Sequence, residues 1–329
     1  MTEPGLPPTE LISRKRLAVY SGRSHPSLAA EIALHLGIEL GNANLKDFAN
    51  AEIHCRFDDS VRGADVFIIQ THGGVSVNEA ILEQCIMIDA AKRASAKRIT
   101  AVCPYYGYSR QDRKVEGREP ITARLVADML KVAGANRLVS VDLHAGQIQG
   151  FFDGPVDHLL AMPVLEQHLR EQGPADPLIV APDAGRVRVA ERLAQHLHAD
   201  LAFVYKRRTS EAVEARAVNG AVAGRRCVLI DDMIDTGGTI VAAAAILVEN
   251  GATEVWAMAT HGLLSDPAID RLKNSVISRV VVTNTLPLPS EKQIDKIEVL
   301  SVAKVIANAI ENIFTDRSVS EMFDGENQT

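Results

Sequence analysis

Short runs of apolar, often β-branched residues recur along the 329-residue chain, and between them the apolar positions shift to helical spacing. The runs at 17–20, 66–70, 99–103, 138–141, 178–181, 201–205, 227–230, 254–260 and 280–283 predict strands. Most are continuously apolar rather than alternating, the pattern of strands buried on both faces of a parallel sheet. Leu28, Ile32 and Leu36, preceded by Ser24, share one helical face. Leu125, Met129 and Val132 form a second stripe, ended by Gly134, and Val187, Ala190, Leu193, Ala194 and Leu197 form a third. Strand alternating with helix predicts an α/β protein with right-handed crossovers.

The length suggests two domains at roughly 100–200 residues each. Gly154, Pro155 and Pro163 interrupt the pattern at 153–163, which predicts a boundary there. Residues 137–142 echo residues 226–231: a basic residue, an apolar strand, then an acid at its carboxyl end. The echo predicts two similar halves. Ligands of open α/β sheets sit outside the carboxyl ends of strands, so Asp142 and Asp231 mark where chemistry belongs.

Composition narrows the class. Hydrophobic residues make up 47% and charged residues 23%, too apolar for a disordered chain. Lys plus Arg is 35 and Asp plus Glu is 42, for a net charge of −7, which argues against sequence-independent nucleic-acid binding. Aromatic residues are 4%, too few for base-stacking platforms. Cys55, Cys85, Cys103 and Cys227 form no CxxC pair, and read as buried or half-buried thiols of a reducing compartment. The apolar run at 241–248 is far below the ~20 residues a bilayer needs. Residues 1–14 carry no basic segment followed by an apolar core and predict a disordered lead rather than a signal. A soluble, cytoplasmic protein without a membrane partner is the expectation.

The most informative stretch runs from Cys227 to Thr239. A buried strand delivers Asp231 and Asp232; a tight loop follows with Asp235, Thr236, Gly237, Gly238 and Thr239; then a helix-forming run begins. Loop amides at a helix N-terminus make an anion site, and the glycines admit close backbone approach. Those features suit any phosphate. The paired acids add acceptors for vicinal sugar hydroxyls, so the whole describes a sugar-phosphate site. Residues 104–122 form a polar loop between strand and helix, with Arg110, Arg113, Lys114 and Arg118 able to reach a polyphosphate. Asp142-Leu143-His144, Pro182-Asp183-Ala184-Gly185 and Lys206-Arg207-Arg208 each stand at a strand end. Phe48-Ala49-Asn50-Ala51-Glu52 and Ser60-Val61-Arg62-Gly63 complete the set.

The stretch at 227–239 resembles the signature of proteins that bind phosphoribosyl pyrophosphate. With the other motifs, in their order, the chain from about 16 to 323 resembles the ribose-phosphate pyrophosphokinases, in their phosphate-activated class. The resemblance implies two phosphoribosyltransferase-like domains, at 15–160 and 161–306, with 307–323 returning to the first. It implies synthesis of phosphoribosyl pyrophosphate and AMP from ATP and ribose 5-phosphate, for nucleotide, histidine and tryptophan biosynthesis, with Mg2+ as cofactor. Asp231, Asp232, Asp235, Thr236, Gly237, Gly238, Thr239 and Arg208 would hold ribose 5-phosphate. Phe48 would stack on adenine, and Asn50, Ala51 and Glu52 would read it, reaching into a neighbouring subunit's site within a homo-oligomer, as in a hexamer. Arg110 and Gln111 match the family's ATP-contacting pair, and His144 and Asp183 its magnesium-associated pair. Lys206 matches the catalytic lysine, which Arg208 and Arg110 assist. Ser60, Arg62, Gln147, Ser318 and Ser320 match an allosteric anion site, implying activation by phosphate and inhibition by ADP.

The chain departs from the pattern at Arg186, where many members carry glycine. The side chain either moves backbone near the metal site or adds a surface guanidinium. A phosphoribosyltransferase would share the 231–239 site but has no reason to carry the 110–114 loop or the 48–52 segment. A transcription-factor-like sensor needs a helix-turn-helix, which the short lead cannot hold.

Overall fold

In the computed structural model, which describes residues 15–74, 76–208 and 214–328, the alternating pattern becomes two sheets with helices between and outside them. The first half contains β1 (Leu17–Ser21), α1 (Pro26–Leu36), β2 (Ala43–Asp47), β3 (Ile53–Phe57), β4 (Asp65–Ile69), α2 (Val77–Arg93), β5 (Arg98–Cys103), α3 (Thr122–Ala133), β6 (Arg137–Val141) and β7 (Val156–Leu159). Five of these strands form a sheet in the order β1-β4-β5-β6-β7, and every pairing is parallel. β2 and β3 stand apart as an antiparallel hairpin, packed on α2.

The second half contains α4 (Met162–Gln172), β8 (Pro177–Ala181), α5 (Val187–Leu197), β9 (Asp200–Arg208), β10 (Glu214–Asn219), β11 (Arg226–Ile234), α6 (Gly238–Glu249), β12 (Glu254–Gly262), α7 (Ala268–Lys273), β13 (Arg279–Thr283), β14 (Ile297–Leu300) and α8 (Ala303–Phe314). Its seven-stranded sheet has the order β10-β9-β8-β11-β12-β13-β14, with only β10 antiparallel to its neighbour.

One apolar core fills the space between the sheets. Val19, Phe67 and Val139 enter it from the first sheet, and Ile179, Val228 and Met258 from the second. Side chains of α1, α4, α5 and α8 complete it, and α8 lies against α1. A second core joins the outer face of the first sheet to α2 and α3, and a third joins the outer face of the second sheet to α6 and α7. The nearly continuous apolar strands follow from this layering, since both faces of each sheet are covered.

Several expectations change. α3 turns its other stripe inward: Ala123, Val126, Ala127 and Leu130 are buried, while Leu125, Met129 and Val132 face outward. The helix is apolar on two sides, and the small alanines allow close approach to α2, so periodicity alone could not choose the face. Ser24 does not cap α1; its hydroxyl donates to Gln70 Oε1 at 2.6 Å. The echoing strands are not equivalent in place, because β6 is next to the edge of its sheet and β11 is central in the other. The four thiols are buried or half-buried as expected. The expected disordered lead at 1–14 lies outside the described residues. No helix among the described residues is long and apolar enough to cross a membrane.

Candidate active site

β11 outlasts one of its two neighbours, and this opens the site. Its pairing with β8 ends at Leu229 opposite Val180, whereas its pairing with β12 continues to Ile234 opposite Gly262. The strand therefore carries Asp231 and Asp232 beyond the end of β8, with the β8-side edge free. The chain leaving β8 bends at Asp183, whose Oδ1 accepts from the Gly185 amide at 2.8 Å, and this short turn delivers Arg186 to the free edge.

Arg186 is not a surface guanidinium. Its side chain is 14% exposed and lies between the two acids. Nε meets Asp231 Oδ1 at 3.0 Å and Nη2 meets Asp232 Oδ1 at 2.8 Å. Nη2 also lies 2.9 Å from His144 Nδ1, which in turn is 2.6 Å from Asp232 Oδ2. That ring nitrogen serves one role at a time: protonated it donates to Asp232, and unprotonated it accepts from Arg186. Burial and the adjacent Asp232 charge push the Asp231 carboxyl up, against the pull of Arg186. Burial works the same way on Asp232, but the His144 hydrogen bond and the Arg186 charge outweigh it and hold Asp232 below the usual carboxylate range. The pair thus divides into one acid that holds its negative charge firmly and one that gives it up more readily.

The loop after β11 has the form an anion requires. Gly237 has φ +74°, a left-handed conformation that glycine adopts without strain, and α6 begins at Gly238. Arg271, on α7, donates to the Thr236 carbonyl at 3.0 Å and braces the loop from behind. Asp235 reaches the other way, to Arg110: Nη2 and Oδ2 are 2.7 Å apart. Gln111, next to Arg110, accepts from the Thr122 hydroxyl at 2.6 Å and so is tied to the start of α3. Tyr105 lies at the root of this segment, buried with Met233 and Leu286 and within the fields of Arg110, Asp235 and Asp232. Burial pushes its phenol up.

A buried polar seam sets the two halves in register. The Thr71 hydroxyl donates to the Thr285 carbonyl at 2.6 Å and accepts from the Tyr105 amide at 3.1 Å. His261 bonds Thr285 Oγ1 at 2.9 Å and the Asp142 carbonyl at 3.1 Å. Asp142 is therefore a structural anchor: its Oδ2 accepts from Thr260 and from the Ala161 amide. The seam aligns the ends of β5 and β6 with β11 and β12, which is how Arg110 and His144 meet residues from the far half of the chain.

Other predicted residues stand elsewhere. Phe48, Asn50, Ala51 and Glu52 form the tip of the β2–β3 hairpin, with Phe48 51% exposed and edge-on to His54. Lys206 and Arg208 fall on the last residues of β9, and their side chains lie outside the described residues. Ser60 and Arg62 line a surface cavity with Arg56, Phe57 and Ala90. Gln147 donates to Asp112. The Ser318 hydroxyl accepts from the Glu321 amide, beside a short turn that begins at Ser320. These residues have three different sets of neighbours within one chain. Among the described residues, no three His, Cys, Asp or Glu side chains cluster as a ready-made metal cage. Sequence reasoning missed Arg271 and underrated Arg186; a lone arginine on a short helix carries no signal.

Comparison with known proteins places the chain in a family. The model of the N-terminal domain of ribose phosphate pyrophosphokinase matches residues 17–134, and that of the phosphoribosyl synthetase-associated domain matches residues 212–324. A ribose-phosphate pyrophosphokinase of Streptomyces avermitilis is 55% identical over 314 residues, 94% of this chain and 97% of that relative. One from Bifidobacterium longum is 55% identical over 318 residues, 94% of this chain and 93% of its own length. The crystal structure of phosphoribosylpyrophosphate synthetase from Mycobacterium smegmatis superposes with a TM-score of 0.87 at 51% identity, covering 92% of this chain and all of that one. The chain belongs to the ribose-phosphate pyrophosphokinase family.

Proposed function

We propose that the cleft between Arg110, Asp231 and the loop at 235–239 is where this ribose-phosphate pyrophosphokinase joins its two substrates. The supporting observation is the convergence of Arg110 and His144 from the first half with Asp232 and Asp235 from the second, through direct contacts. The loop takes the 5-phosphate of ribose 5-phosphate through Asp235, Thr236, Gly237, Gly238 and Thr239, and Asp231 accepts from the sugar hydroxyls beside Asp232. Arg110 and Gln111 hold ATP. Phe48 stacks on adenine, and Asn50, Ala51 and Glu52 read its edge. The hairpin tip projects Phe48 into solvent, as a segment serving a neighbouring subunit of a hexamer would. The outward stripe on α3 likewise suits a homo-oligomer.

The 1-hydroxyl oxygen forms a bond to the β-phosphorus while the bond from that phosphorus to the α-phosphate bridging oxygen breaks. AMP leaves with the bond's electron pair, and the hydroxyl proton passes to water. Such a transfer depends on alignment and charge neutralisation more than on covalent chemistry. Lys206, Arg208 and Arg110 stabilise the charge that develops on the transferred group and on AMP. Asp183 and His144 would hold or approach Mg2+, which when bound would supply further charge neutralisation and commonly needs only one or two protein carboxylates. The donor set is compatible: Asp183 uses one oxygen within its own turn and keeps the other, while His144, held by Asp232 and Arg186, would serve as a phosphate or water contact. Residues 15–160 with 307–323 form the ATP-handling unit and 161–306 the sugar-phosphate unit. Ser60, Arg62, Gln147, Ser318 and Ser320 come together between subunits as an anion site where phosphate activates and ADP inhibits. The setting is the cytoplasm.

Incubation of the purified protein with ribose 5-phosphate and Mg·ATP tests the reading. Equal amounts of AMP and phosphoribosyl pyrophosphate are expected. ADP as the product would overturn it.

A further inference from the structure

Arg186 is held too specifically for a chance surface arginine. Two adjacent carboxylates, 14% and 7% exposed, share one strand end. Buried like charges at this spacing are costly without a counter-charge and hydrogen bonds. The guanidinium pairs with both acids, its Nε 3.0 Å from Asp231 and its Nη2 2.8 Å from Asp232, and the second of those nitrogens also bonds His144. Its rigid fork explains how one side chain serves all three groups, which a lysine ammonium on a flexible stem does less well. The turn at Asp183 fixes the backbone from which it projects.

We propose that Arg186 is a positioning residue, the resident counter-ion of Asp231 and Asp232, standing where the acid pair would otherwise recruit a divalent cation. The inference deepens the assignment of Asp231 to the sugar hydroxyls and rests on it for its catalytic meaning. The guanidinium offsets part of the repulsion between the two acids and fixes their direction before any substrate arrives.

The test counts cations and needs neither sugar nor nucleotide, so its result stands apart from the assignment of Asp231. Mn2+ binding to substrate-free protein is measured by electron paramagnetic resonance, with circular dichroism to verify folding. Arg186→Gly is expected to bind one more Mn2+ per chain than wild type, and Arg186→Gly/Asp232→Asn is expected to lose that gain. Arg186→Lys, which restores a charge, is expected to suppress it. A side chain needed only for packing would not produce a cation site on removal. Arg186→Gln keeps bulk and donors without charge, and is read in parallel in case the glycine variant fails to fold. A folded neutral variant with no additional Mn2+ overturns the proposal, as does a wild type that already fills the Asp232-dependent site. Failure of the sugar assignment would appear elsewhere, as an Asp231→Asn variant with an unchanged KM for ribose 5-phosphate.

Discussion

Arg110 Nη2 lies 2.7 Å from Asp235 Oδ2, so the polar loop that follows β5 is tied to the phosphate-type loop that follows β11. The arginine side chain is 51% exposed and the carboxylate 21%. An exposed pair of this kind contributes at most ~1 kcal/mol to stability. Arg110→Ala should therefore shift the melting temperature by no more than ~2–4 °C. Its turnover should fall by ~100-fold or more, because a donor aimed at developing charge is lost. Asp235→Ala should chiefly raise the KM for ribose 5-phosphate. The double variant should lose less in kcat/KM than the two single losses combined, since each removal already breaks the pair. Strict additivity would show that the contact has no part in the reaction.

The exposed Phe48 invites a complementation experiment. Phe48→Ala should weaken ATP binding by ~1–3 kcal/mol, the range for an aromatic stacked on a base. Lys206→Ala should lower kcat by ~100-fold or more with little change in the KM for ribose 5-phosphate, as loss of a transition-state charge does. Mixed and allowed to exchange subunits, the two variants should recover part of the activity, since some interfaces then carry neither defect. If exchange is demonstrated and no activity returns, each site lies within one chain.

Arg62 borders a surface cavity with Ser60 and Arg56, away from the acid pair. A guanidinium binds phosphate bidentately, and an effector shifts a balance only through different affinity for two states. Arg62→Ala should blunt activation by phosphate and the non-competitive part of inhibition by ADP together. Inhibition by ADP in competition with ATP should persist. Initial rates against phosphate at fixed ATP, with and without ADP, separate these outcomes. A full phosphate response in the variant would remove Arg62 from the regulatory site.

His196 joins three segments: its Nδ1 is 3.0 Å from Glu166 on α4 and its Nε2 is 3.0 Å from Glu326 near the C-terminus. Burial opposes protonation, but the two glutamates outweigh it and raise the histidine above its ordinary value. A raised folded-state value means stability that is fully present below the unfolded value of about 6.5 and lost as pH rises through the folded one. The melting temperature should therefore drop by ~1–2 °C between about pH 6 and about pH 9 through this group. His196→Gln should remove that component. An identical pH slope in the variant would assign the effect to another group.

Continuous apolar runs were enough to predict β4, β5, β8, β11 and β12, because a strand covered on both faces has little choice of residue. The string from Cys227 to Thr239 likewise predicted a strand, a tight glycine turn and a helix start, which local backbone geometry alone sets. Other features depended on distant partners. β2 and β3 do alternate apolar and polar residues, as in Ile53-His54-Cys55-Arg56-Phe57, but each is five residues long and only half-buried, a weaker signal than a continuous apolar run. The inward face of α3 was chosen by what α2 could accommodate, and β11 ran on past its expected end because β12 continued beside it. Arg186 and Asp231 are far apart in sequence, and no spacing rule joins them. Local physics wrote the strands and the glycine turn before α6 into the sequence. The packing of the two sheets, fixed by the seam from Thr71 through Thr285 to Asp142, decided which charges would meet.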